Sequence, residues 1–173
     1  MPYRSIFYNL LTDVQTEIQA LITADKLPNI ASNAVLVMLV PTLRQLGVSK
    51  TPSIPFPAIV IAPAAGLQED PNEGTNARDD IMFPVSIEVV MANNQQPNPT
   101  NDDLFCLWTE ELHSYWRHRY TNPQGPPNTQ FFKSDVINPV FGGNVPEGLE
   151  AWLAGYQISQ LVVKFVTRLP RGG

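Results

Sequence analysis

Between Ile81 and Met91 the side chains alternate: Ile81, Phe83, Val85, Ile87, Val89 and Met91 fall on one face, and Met82, Pro84, Ser86, Glu88 and Val90 on the other. A period of two marks a strand with one fully buried side. The short apolar run Pro57-Ala58-Ile59-Val60-Ile61 precedes it, across a polar, acidic insert from Gly66 to Asp80. That spacing predicts two strands joined by a long hairpin arm rather than a tight turn. An arm reaching off a sheet ordinarily serves to touch something.

From Ser5 to about Ile22 the period changes to that of a helix. Phe7, Leu10, Leu11, Val14, Ile18 and Leu21 recur at helical spacing, while Asp13, Gln15, Thr16, Glu17 and Gln19 lie largely on the other side. Ala34 to Val40, AVLVMLV, is too short to classify by period. Its β-branched valines and the following Pro41 favour a strand, with a buried helix continuing to Leu46 as the alternative. Pro52, Pro55 and Pro57 stiffen the approach to the Ala58–Ile61 strand and forbid helix there.

Ala92 to Asn101 is a polar linker that leads into a second predicted helix, about Asp102 to Tyr120. Thr100 or Asn101 serves as its N-cap, Asp102 and Asp103 sit at the positive end of its dipole, and Arg117, His118 and Arg119 at the negative end. Thr121 to Asn128, rich in proline, terminates it. Phe131 to Asn144 holds one irregular or edge strand, given Pro139 and the Gly142-Gly143 pair. Tyr156 to Arg168 reads as a long closing strand, with Leu161, Val163 and Phe165 on one side and Val162, Lys164 and Val166 on the other. The order of pieces predicts a single α+β domain over residues 1–173: a mixed, mainly antiparallel sheet flanked by two principal helices, with a hairpin arm at 66–80.

Composition sharpens this picture. The chain has 173 residues, enough for a core without disulfides or metal. Its charged share is 16%, against a usual ~25%, and it carries 17 prolines. A surface poor in charge and rich in proline suits contact with other proteins. The net charge of −5 argues against a dedicated nucleic-acid binder, which needs a basic footprint. Cys106 is the only cysteine, so no intrachain disulfide forms and a reducing compartment is expected. The N-terminus lacks the apolar region of a signal peptide, and no run approaches the ~20 apolar residues of a membrane span. A soluble, unprocessed chain follows.

Candidate chemistry is thin. Cys106, Glu110 and His113 form one stripe of the second helix, the arrangement a thiolate nucleophile with a histidine base would use. Positions i and i+7 lie about 10 Å apart along the axis at ~1.5 Å per residue, beyond hydrogen-bond reach, so a polar outer face is the better reading. His113 and His118 are about 140° apart round the helix and do not share an ion. Glu69, Asp70, Glu73, Asp79 and Asp80 lack the ordered spacing of a calcium loop. The glycines form no phosphate cradle. Neither a metal nor a cofactor is expected, and no catalytic residue is assigned. Trp108, Tyr115 and Trp116 suit a buried helix side, while Trp116 and Trp152 are also candidate interface anchors, since tryptophan is enriched at hot spots.

The opening helix ending LITADKLPNI, the PAIVIAP strand, the acidic insert, the FPVSIEVVM strand, the helix built on LWTEELHSYWR and the closing GYQISQLVVKFVTR strand together resemble the tail terminator (tail completion, neck) proteins of long-tailed bacteriophages. The resemblance covers most of the chain and implies a non-enzymatic virion protein, assembled in the host cytoplasm. It implies a homo-oligomeric ring, usually hexameric, that caps the tail tube protein's tube and meets the head-side connector or adaptor. DNA would pass its lumen without specific binding. The acidic residues Glu69, Asp70, Glu73, Asp79 and Asp80 are candidates for the lumen or for a subunit contact, against a solvated outer loop. Two alternatives stay open: another neck component such as a head-completion or adaptor protein, and a small cytosolic enzyme or ligand-binding domain using Cys106 and His113.

Overall fold

The computed structural model describes residues 5–39, 55–64, 68–75, 78–92, 99–117, 131–141 and 156–170. Among them are two long helices, α1 (Ile6–Thr23) and α2 (Pro99–Trp116), and six strands: β1 (Val35–Val37), β2 (Ala58–Pro63), β3 (Gln68–Thr75), β4 (Arg78–Ala92), β5 (Phe131–Phe141) and β6 (Tyr156–Pro170). The strands form one sheet in the order β1-β2-β4-β6-β5, with β3 also paired to β4. Among the described strands, β1 and β2 alone run parallel; β2–β4, β3–β4, β4–β6 and β5–β6 are antiparallel. This is the expected α+β architecture with a mainly antiparallel sheet.

α1 starts where its sequence dictates. The hydroxyl of Ser5 accepts from the Tyr8 N–H at 3.3 Å, an N-cap bond. The helix ends without glycine: Asp25 takes φ 57°, and the N–H groups of Asp25 and Lys26 bond back to the carbonyls of Ile22 and Leu21, the Schellman closure. α2 begins earlier than its capping residues suggest. Thr100 and Asn101 lie inside it, and Pro99 occupies its first turn, where a missing N–H costs nothing. Its last described bond runs from the Arg117 N–H to the His113 carbonyl. The expected continuation to Tyr120 lies outside the described residues, as do the 121–128 loop and Gly142-Gly143; of the Ala34–Leu46 stretch, Val35–Val37 form strand β1, which overturns the helical alternative there, and the residues from 40 on lie outside.

Both helices pack on the same face of the sheet. Leu10, Leu11, Val14 and Ile18 of α1 and Phe105, Trp108, Leu112 and Trp116 of α2 join Ile59, Ile61, Phe83, Val85, Ile87, Val89, Leu161, Val163 and Phe165 in one core. α1 lies over β1 and β2, while α2 lies over β4, β5 and β6. Phe7 meets Phe83 edge to face at 5.3 Å between ring centroids, and Trp116 meets Phe165 at 5.5 Å in the same manner. The two halves are tied by polar bonds as well. The indole N–H of Trp108 donates to the Pro28 carbonyl at 2.8 Å, and the Tyr115 hydroxyl donates to Glu17 Oε2 at 2.7 Å.

Two readings of polarity need correction. The polar side of α1 is not simply solvated: Gln15 and Gln19 donate to the Val35 and Ser32 carbonyls, and one carboxylate oxygen of Asp13 is buried. Nor is β4 buried on one side alone. Val90 on its other face is fully buried and clusters with Val60 and Ile158, and Ser86 is 2% exposed. β4 is the central strand, flanked on both edges, so its second face is closed by neighbours that a single-strand pattern does not reveal.

Candidate assembly surface

The acidic insert folds as an extension of the sheet. β2 pairs with β4 from Val85 to Val90, and β3 takes over the same edge from Arg78 to Met82. The hairpin of β3 and the start of β4 is the expected arm. It carries a third strand that the sequence did not suggest, because β6 stays in register with β4 from Ala92 opposite Tyr156 to Arg78 opposite Pro170. At ~3.3 Å per residue these strands run together for about 50 Å.

Register places the candidate residues relative to one another. Glu69 stands opposite Ile81, and Asp70 stands opposite Asp80. Asp80 in turn stands opposite Arg168, so one row across three strands reads Asp70, Asp80, Arg168. Asp79 stands opposite Leu169. Glu73 lies in β3, in the stretch where the β3–β4 register shifts between Asp70 and Thr75. The five acidic residues against Arg78 give the hairpin −4; counting Arg168, which β6 delivers to the same row, leaves −3. Pairing of residues so far apart along the chain has no local sequence signal.

The other candidates separate cleanly. Trp116 is fully buried inside the single-chain core, against Tyr115 and Phe165. It is therefore a core residue, and its assignment as an interface anchor is corrected: the helix position that looked available to a partner is filled by the sheet. Trp152 lies outside the described residues. On α2, Cys106 and Glu110 are exposed and His113 is half-buried, which matches a polar outer face. Among the described residues no three His, Cys, Asp or Glu side chains are grouped to hold a metal ion, and no described helix is long and apolar enough to cross a membrane.

The sheet's second face supplies an arrangement that the sequence did not single out. Gln160 Nε2 donates to Ser86 Oγ at 2.9 Å and to Glu88 Oε1 at 3.2 Å, and Ser86 Oγ donates to the same Glu88 oxygen at 3.2 Å. Glu88 and Gln160 are direct cross-strand partners, so this trio fixes the β4–β6 register from the polar side. Beside it Phe56 and Tyr156 pack with ring centroids 5.0 Å apart. The three side chains are bonded to one another. A scan against protein-family models finds no match to this chain. No curated protein matches it either.

Proposed function

We propose that this chain is a structural virion protein of the tail terminator type, whose copies close into a six-membered ring that caps the tail tube and meets the head-side connector. It acts by binding, without catalysis. The observation that carries the reading is the three-stranded acidic extension, in which β3 pairs with the start of β4 and the start of β4 pairs with the end of β6. A continuous strand platform is suited to contact between copies, because a heterologous contact repeated by rotation closes into a ring. The low charged share of 16% and the half-open polar stripe of Cys106, Glu110 and His113 fit a protein that binds proteins and performs no chemistry.

In this ring the acidic hairpin faces the passage, where negative charge repels duplex DNA carrying about one charge per 1.7 Å of axis and lets it slide. Replacing Glu69, Asp70, Glu73, Asp79 and Asp80 by lysine is expected to produce salt-sensitive DNA retention and slowed ejection; normal ejection would place the hairpin elsewhere. The ring reading is tested by sedimenting the purified chain with its tail tubes sheared to different lengths. A terminator binds a fixed number of copies per tube, so bound mass per tube mass falls with length. Binding that scales with tube length, or none, overturns the proposal.

A further inference from the structure

Among the described residues β1, β3 and β5 each pair with a single neighbouring strand and so lie at edges of the sheet. An edge carries backbone N–H and C=O groups that can take up another strand, and proteins guard such edges with brevity, charge, proline or cover. β1 is three residues long. Two carbonyls at or beside it are already taken by α1, that of Val35 by Gln15 at 2.7 Å and that of Ser32 by Gln19 at 3.1 Å. β3 holds Glu69, Asp70 and Glu73 around Pro71, three negative residues and one without an N–H. β5 lacks these guards over most of its length. It runs for 11 residues, and Lys133 and Asp135 cancel in its charge. Its proline, Pro139, falls in the irregular stretch between Ile137 and Val140, and a second irregularity lies between Phe131 and Lys133. Between the two, Lys133 to Ile137 follow Val166 to Val162 of β6 residue for residue.

The sequence of this edge complements itself when reversed. Aligned antiparallel with a second copy about Ser134, Lys133 of each copy stands opposite Asp135 of the other, Phe132 opposite Val136, and Phe131 opposite Ile137. Opposite charges and aromatic–β-branched pairs are the cross-strand partners that stabilise an antiparallel sheet. Moving the centre to Lys133 or to Asp135 sets like charges against each other, so the charges favour Ser134. We propose that two copies of this chain join by strand addition through β5, antiparallel about a two-fold axis at Ser134, into one continuous sheet. An isologous contact of this kind closes at two copies. Within each chain Asp135 stands opposite Lys164, so the joined sheet sets Asp135 between two lysine positions in one row. The contact uses neither β3 nor the acidic hairpin, and it stands or falls independently of the ring.

Sedimentation equilibrium of the purified wild-type chain, from roughly 10 μM to roughly 1 mM to suit an interface at the small end of the range, is expected to show monomer and dimer in equilibrium. A wild-type chain that stays monomeric throughout overturns the proposal. Lys133→Asp and Asp135→Lys each set like charges opposite one another and are expected to weaken self-association by about tenfold or more. An equimolar mixture of the two variants is expected to dimerise as the wild type does, because every like-charged pairing then becomes an opposite one. Self-association of either variant at wild-type strength, or a mixture no stronger than its components, overturns the proposal. Amide exchange of the wild type requires no variant to fold. Amides within Phe131–Ile137 are expected to exchange more slowly at the concentrated end of the range than at the dilute end, with those of β1 and β3 unchanged. Exchange in that segment at rates independent of concentration overturns the strand pairing.

Discussion

The two faces of the sheet are built from the same strands and held together by different means. The face under the helices buries large side chains, Phe83, Ile87, Leu161 and Phe165, against Trp108, Leu112 and Trp116. On the opposite face, among the described residues, Val60, Val90 and Ile158 form a separate small cluster with no helical residue in it, and the Ser86, Glu88, Gln160 trio lies on the same face. The helical face contributes apolar area, which is strong and undirected. The other face contributes geometry, since hydrogen bonds between direct cross-strand partners are lost if the strands slip by one residue.

That contrast predicts unequal responses to mutation. Trp108→Ala should cost about 3–5 kcal/mol in urea denaturation, the range for emptying a large core position, and it also leaves the Pro28 carbonyl without its indole donor. A cost below about 1 kcal/mol would mean that α2 is not seated on the sheet as described, since even one buried hydrogen bond contributes about that much. Val90→Ala on the second face should cost about 1–2 kcal/mol, at ~0.8 kcal/mol for each buried CH2. An immeasurable effect would show this face to be open to water and would erase the smaller cluster. Cys106→Ser, on the exposed side of α2, should shift stability by no more than about 0.5 kcal/mol and leave tube sedimentation unchanged. Lost tube binding in a folded Cys106→Ser chain would instead revive a chemical role for that thiol.

Much of the helical face is legible in the order of residues alone. The alternation from Ile81 to Met91 and the helical spacing from Phe7 to Leu21 each report one buried side, and the burial of Phe83, Val85, Ile87, Leu10, Val14 and Ile18 follows. The closing strand sorts its faces in the same way, with Leu161, Val163 and Phe165 in the main core. The second face is not legible, because its burial depends on which strands flank β4, and Val90 reads the same in an edge strand as in a central one. The same blindness hides Arg168 beside Asp80. It also conceals the fate of Trp116: a tryptophan fits a core and a partner's pocket equally well by composition, and only the position of Phe165 in the folded sheet decides. The α1 terminus escapes for a local reason. Asp25 adopts the left-handed conformation usually taken there by glycine.

The acidic extension belongs to neither face in this contrast, and its role carries the functional account. Within the hairpin the backbone register aligns Asp70, Asp80 and Arg168 in one row across three strands. Contact with a neighbouring copy or a passage for DNA would give the hairpin's acidic residues a use.

The most direct measurement is electron microscopy of tail tubes incubated with the purified chain, with rotational averaging of the tube ends. The account predicts additional density confined to one end of each tube, closed and six-fold symmetric. Bare ends, or density spread along the tube wall, would contradict it.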